Sequence, residues 1–357
     1  MLKKIAWKPK IYFSALICGL MLVNTTKHPV SQANATDQEI QPNLSTLDIV
    51  QERGYLICGV NGELPGFSFV NSDDRYEGID VDFCRAIAAA LFDDANQVKF
   101  RNVTAEERFA VLKSGEIDLL SRNTTKTLSR DTDSNLGFTP PIFYDAQGVM
   151  VKKASGIKKL ADLENKSICV AEDTTSYDNL QDYMKQAAIN FRIVASSDRE
   201  VLFDSYEYDR CQGITTDISQ LIARRTLLAN PRDHQILAQT ISQEPLAPML
   251  RHQDSQWFDV VKWITFALIQ AEEFGISSEN IKVYRNTKEL GIRRFLGLDN
   301  DLGSQLGLSN DFTLRIIEQV GNYGEIYERN IGQPFGLDRG ENALWQNGGL
   351  MYSPPFN

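Results

Sequence analysis

The chain of 357 residues is 42% hydrophobic and 24% charged, an ordinary globular make-up with length enough for two domains. Its formal net charge of −10 argues against nucleic acid or an anionic membrane as ligand, because both repel an acidic surface. The most apolar stretch in the body of the chain, 257–269, carries Asp259 and Lys262 and falls short of the ~20 residues that a spanning helix needs.

The N-terminus is of another kind. Lys3, Lys4, Lys8 and Lys10 precede the apolar run 11–23, and Ala33-Asn34-Ala35 forms a small-x-small cleavage signal. That order predicts a secretory signal peptide over 1–35, followed by a flexible polar leader over 36–47. Cleavage removes five lysines and no acid, which takes the formal charge to −15. Four cysteines remain in the exported chain: Cys58, Cys84, Cys169 and Cys211. An even number suggests two disulfides, and three pairings are open. Cys58–Cys84 with Cys169–Cys211 is the favoured set, since each bridge stays inside one lobe as the lobes are drawn below; buried free thiols are the alternative. No metal is expected, because the mature chain lacks Cys-x-x-Cys and His-x-x-x-His spacing and keeps only His234 and His252.

Beyond the leader, strand and helix patterns alternate. Residues 55–60 predict a strand, 82–92 a helix, 98–103 a strand, 106–113 a helix ended by Gly115, and 117–120 a strand. The order then recurs as strand 167–171, helix 177–188, strand 191–195, helix 198–206 and strand 211–215. Two β-α-β-α-β halves imply two parallel-sheet lobes, since crossover connections are right-handed. A strand-like run at 148–152 after Pro140-Pro141 provides a first crossing between lobes, and 235–249 provides the return. Lobe 1 is therefore drawn as 48–148 plus 248–357, and lobe 2 as 149–247. A helix over 255–274, capped by Ser255 and stopped by Gly275, packs back on lobe 1, while the final 80 or so residues give no clear pattern.

Ligands of such sheets bind beyond the carboxyl ends of the strands. Asn61, Asn123, Asp173 and Asp217 all follow strand ends. Residues 118–130 run from a short strand through small hydroxyl and amide side chains to a helix start, with Arg130 three residues past Thr127. Hydroxyls, backbone N–H groups and a guanidinium suit a carboxylate. Asp217, after another strand, suits an ammonium. Together they make a recognition code for a free α-amino acid held in a cleft between lobes. Taken singly the residues have blander uses: Asp217 as the N-cap of a helix from Ile218, Arg122 as a surface ion pair, and Phe67, Leu64 and Tyr144 as core or cleft wall. Asn61 and Phe67 complete the candidate set.

These segments resemble a known family, the periplasmic substrate-binding proteins of general L-amino acid ABC transporters within bacterial solute-binding protein family 3. The resemblance lies in the stretches that begin at Gly78, Ser114, Gln256, Val320 and Arg339, and it runs from about Arg53 to Pro355. It implies a type II periplasmic-binding-protein fold, two lobes joined by two crossing segments that close on the ligand. By the family pattern Arg130 holds the α-carboxylate with Asn123 and Thr125, Thr175 contributes from the second lobe, and Asp217 binds the α-ammonium. The implied partners are free L-amino acids and the permease subunits of an inner-membrane ABC transporter, with no cofactor, and the implied place is the periplasm, as a monomer. Two departures stand out: Leu64 where an aromatic often stacks on the ligand, and Glu172-Asp173 where glycine is usual.

An enzyme, such as a dehydratase on the same fold, is the first rival. It is not expected, for no Gly-x-Ser-x-Gly elbow or Gly-x-Gly-x-x-Gly loop is present. An amino-acid sensor module is the second, and its binding chemistry is identical.

Overall fold

A computed structural model describes residues 44–357 apart from Ser134 and Asn300. The expected signal peptide lies outside these residues, as does the leader up to residue 43. The last two residues of the expected leader, Thr46 and Leu47, already belong to a helix. Ser45 opens α1 (Thr46–Arg53) through a capping box with Asp48, and Leu47 is buried.

Lobe 1 is then laid down by β1 (Leu56–Val60), three strands of two or three residues, β2 (Glu63–Leu64), β3 (Ser68–Val70) and β4 (Tyr76–Glu77), and α2 (Ile79–Phe92). It continues with β5 (Val98–Asn102), α3 (Arg108–Ser114), β6 (Leu119–Leu120), α4 (Leu128–Asp131) and β7 (Leu136–Phe138). The short antiparallel ladder β2–β3–β4 is too brief to leave a period in the sequence. α2 starts three residues before the predicted 82, because Gly78 sits at φ +132°, where a Cβ would overlap the Phe67 carbonyl. That tight entry brings Asp80 to the first turn, where it is 2% exposed.

The chain crosses through β8 (Phe143–Lys152) and builds lobe 2 from β9 (Lys166–Ala171), α5 (Thr175–Gln186), β10 (Phe191–Ser196), α6 (Arg199–Glu207), β11 (Gly213–Asp217), α7 (Ile218–Arg225) and β12 (His234–Ile236). It returns through β13 (Ser242–Leu246) and β14 (Met249–Arg251) into α8 (Ser255–Glu273). α8 is capped by Asp254, not Ser255: the Asp254 carboxylate accepts from Trp257 N at 3.0 Å.

Each lobe has the predicted β-α-β-α-β order, but neither sheet is wholly parallel. The first runs β5-β1-β6-β14-β7, with β5, β1 and β6 parallel and β14 antiparallel to its neighbours. The second runs β10-β9-β11-β8-β12, with β8 antiparallel to β11, β12 and β13. The antiparallel members are the crossing strands, which enter each lobe from the other and so run against the crossover-linked strands. Disulfides join Cys58 on β1 to Cys84 on α2 and Cys169 on β9 to Cys211 before β11, with Cα separations of 6.4 and 5.8 Å.

The C-terminal stretch has a definite place. Short helices α9 (Ile281–Tyr284), α10 (Leu290–Phe295), α11 (Leu302–Gln305), α12 (Phe312–Gln319), α13 (Tyr323–Tyr327) and α14 (Gln333–Phe335) extend the lobe 1 core, with α12 against α2 and α8. Asn342 then grips the crossing strand. It accepts from Tyr144 N at 2.7 Å and donates to Tyr144 O at 2.9 Å, while the Tyr323 hydroxyl donates to Ile142 O at 2.9 Å. An isolated amide side chain thus takes the place of a neighbouring strand on one edge of β8.

Candidate functional site

Asp80 organises the loop after β6. Its carboxylate accepts from Ser121 Oγ at 2.8 Å and Asn123 N at 3.0 Å. Asn123 is held at φ +36°, a left-handed conformation that Asn tolerates better than most residues. Its side-chain oxygen is buried without a hydrogen-bond partner. Four residues on, Thr127 caps α4 by accepting from Arg130 N at 3.3 Å. The helix start thereby aims Arg130 inward. Its guanidinium donates to Thr125 O at 2.9 Å and stands 5.6 Å over the Phe109 ring. Burial lowers the Arg130 pKa, and Glu244, Asp178 and Asp217 act against that.

From lobe 2, Thr174 caps α5 through Tyr177 N at 3.4 Å, which turns the N-terminus of the helix and Thr175 toward the same space. Asp217 ends β11. It stands at the N-cap position of α7 yet makes no capping bond with its side chain. The structural use that the sequence left open is therefore not the one taken. Instead Asp217 accepts from Gln220 Nε2 and is 4% exposed. Burial, then Asp145 and Glu244, push its pKa well above the ordinary carboxylate range, while Arg199 and Gln220 pull it down. Asp145, bonded to Ser219, is itself raised to about 6, chiefly by burial. A cation placed here would relieve three crowded carboxyl groups.

The lobes meet at this point. Thr125 Oγ1 lies 3.3 Å from Thr175 Oγ1, Thr175 Oγ1 donates to Glu244 at 2.9 Å, and Arg108 Nη2 reaches across to Asp173 O at 3.1 Å. Asp173 has φ +55°, which accounts for the glycine usual at this position. The enclosed space between the lobes is about 20 Å³. A wider cavity of about 570 Å³ at the cleft mouth shares Arg130 and Thr174 with it and is walled by Phe109, Tyr177 and the acids Glu106, Glu172, Asp173 and Asp178.

Of the residues chosen from sequence, Arg130, Asn123, Thr125, Thr175 and Asp217 line one space, Arg130 from lobe 1 and Asp217 from lobe 2. Asn61 and Phe67 do not line it, although Phe67 borders an adjoining small space with Asp80 and Asn123. Asn61 Oδ1 accepts from Glu63 N at 3.1 Å in a turn, and Phe67, 1% exposed, packs edge-on against Phe143. Leu64 is likewise core, at 1% exposure. Three arginines missing from the expected set, Arg108, Arg122 and Arg199, line the space as well, with Gln220. Arg122 is no surface ion pair: it is 4% exposed, and its Nε donates to Val103 O at 2.7 Å. Arg108 and Arg199 each open the helix that follows a strand, so the strand-end rule that found Asp217 points to them too.

Residues 56–333 match the model of the bacterial extracellular solute-binding proteins, family 3. The chain is 46% identical over 315 residues to the general L-amino acid-binding periplasmic protein AapJ of Rhizobium johnstonii, spanning 87% of this chain and 92% of that one. It is 45% identical over 315 residues to the glutamate/glutamine/aspartate/asparagine-binding protein BztA of Rhodobacter capsulatus, spanning 87% and 93%. A solved ABC transporter/periplasmic binding protein from Brucella ovis, with glutathione bound, matches with a TM-score of 0.86 at 43% identity, covering 88% of this chain and 100% of that one.

Proposed function

We propose that this chain, which belongs to the bacterial extracellular solute-binding proteins, family 3, holds a free L-α-amino acid between its lobes, with Arg130 on the α-carboxylate and Asp217 on the α-ammonium. The observation that carries this reading is the convergence of an inward guanidinium from one lobe and a buried carboxyl from the other on one enclosed space. Asn123, Thr125 and Thr175 add amide and hydroxyl groups around the carboxylate. Because Arg130 and Asp217 belong to different lobes, a zwitterion that touches both has higher affinity for the closed arrangement, which is the free-energy source for closure.

The relatives named for general L-amino acids and for glutamate, glutamine, aspartate and asparagine belong to the same ligand class. The neighbour with glutathione fits it too, since the glutamyl end of glutathione is itself an α-amino acid head. The protein works as a periplasmic monomer that presents the closed, loaded form to the permease of an ABC transporter, and it releases its ligand unchanged. Calorimetry with the twenty amino acids on the mature chain tests this. Arg130→Met is expected to abolish measurable binding of all of them, and unchanged affinity in that variant refutes the assignment.

A further inference from the structure

We infer that the cleft takes a second carboxylate on the same ligand, held by Arg108, Arg122 and Arg199. The inference rests on the binding reading above and names the ligand class more narrowly: amino acids with a carboxylate beyond the α-carbon. A zwitterion brings one carboxylate, and Arg130 suffices for it. Yet four guanidiniums line the space, and among the described residues none of the four is within ion-pair distance of a carboxylate.

Their donors are only partly used. Arg108, 3% exposed, spends Nη2 on Asp173 O, and its Nε is buried without a partner. Arg122, 4% exposed, spends Nε on Val103 O, and its Nη1 is buried without a partner. Arg199 Nη1 donates to Gln220 Oε1 at 2.9 Å. Each is also close enough to another member to feel its charge: Arg122 is pushed down by burial, Arg199 and Arg108, and Arg108 is brought to about 9 by burial, Arg130 and Arg199. The acids that act on them, Asp80 and Glu63 on Arg122, Asp173 and Asp217 on Arg108, and Asp217 and Glu63 on Arg199, make no ion pair with them. Buried N–H groups of charged side chains are costly to leave unmet, and planar guanidiniums suit a carboxylate geometrically.

The second carboxylate has two chemical sources: the side chain of glutamate or aspartate, or the far end of a γ-linked glutamyl peptide running into the 570 Å³ mouth cavity that shares Arg130. Competition calorimetry on the mature chain compares glutamate with glutamine, aspartate with asparagine, and a γ-glutamyl tripeptide with its C-terminal amide. Each pair differs in charge and hardly in shape. At least one acid is expected to bind about tenfold or more tightly than its amide, the scale of one charge-assisted bond. Which pair shows the gap identifies the source. The ratio is expected to fall below about threefold in Arg108→Gln and in Arg199→Gln. Ratios below about threefold for all three pairs in the unmodified protein overturn the inference, whatever the variants do. So does a loss in both variants that is equal for acid and amide. Alanine separates the two readings: if alanine binds in an Arg130-dependent way and no acid is preferred, this inference alone fails, and if no amino acid binds, both fail.

Discussion

Asp217→Asn separates a binding role from a structural one, because the two roles predict opposite signs. In the free protein the Asp217 carboxyl is buried beside Asp145 and Glu244, and burial and both neighbours raise its pKa. Its ordinary, unfolded pKa lies lower, so this group contributes stability at acid pH and loses that contribution as the pH rises through its folded value. Asparagine is neutral throughout, nearly the same shape, and keeps an oxygen for Gln220. The unliganded variant should therefore melt at a higher temperature than the parent at pH 8 and at the same temperature near pH 3. Binding should move the other way. The ammonium loses a charge-assisted hydrogen bond, worth about 1.5–3 kcal/mol in a desolvated site, or roughly 10- to 150-fold in affinity. Because Asn still offers an acceptor, the lower end of that range is expected, and Asp217→Ala should reach the upper end. The loss should be similar for alanine, glutamine and leucine, since the ammonium is common to them. Calorimetry with those three ligands, and thermal unfolding of the free variant at both pH values, are the assays. Unchanged affinity, a loss confined to one side-chain class, or a variant less stable than the parent at pH 8 would refute the reasoning.

Titration should also be visible in the parent. Asp80 and Asp145 are each raised to about 6, from 3.8, chiefly by burial, so the unliganded protein should lose stability as pH rises from about 4 through about 6; a melting temperature that climbs over that interval contradicts this. An ammonium on Asp217 favours its ionised form, so binding should release protons, and calorimetric heats should differ between buffers of unlike ionisation enthalpy. Asn342→Ala removes both bonds to the Tyr144 backbone and leaves a part-buried N–H and C=O unmet, a loss of about 1–3 kcal/mol by denaturant titration. Since Asn342 grips the crossing strand, small-angle scattering of the free variant should shift toward a larger radius, and an unchanged curve argues against a role in holding the lobes. Replacing Cys169 and Cys211 by alanine opens a loop of 42 residues and should reduce stability by about 4 kcal/mol, whereas a loss under 1 kcal/mol would mean that the unfolded chain is not constrained by that bridge.

Much of this protein is local, and what is local is legible. The helix over residues 79–92 needs only the alanine-rich run Ala86, Ala88, Ala89 and Ala90 to be recognised, although its start lies three residues before the predicted 82. Arg130 is placed by the Thr127 cap three residues away, and Asp217 by the end of its own strand, so their candidacy follows from spacing alone. The repeated β-α-β-α-β order settles two lobes because handed crossovers leave few other arrangements. The direction of β8 and β14 is different. A strand of alternating or apolar residues carries no mark of its neighbour's polarity, and only the return of the chain from the opposite lobe makes these strands antiparallel.

The same limit governs the arginines. The strand-end rule points to Arg108 and Arg199, but nothing in the sequence marks these arginines or Arg122 as short of water, because helix starts and loops usually face it. Arg108 is 3% exposed with its Nη2 bonded to Asp173 O of the facing lobe, 65 residues along the chain. Phe67 shows the converse: an aromatic near a strand end is drawn into the core by Phe143, 76 residues along the chain. Capping and periodicity act within a few turns of chain and can be read there. Which charges lose their water, and which carboxyl must share a pocket with two others, is decided only when distant segments meet, since desolvation belongs to the assembled cleft and to no residue in it.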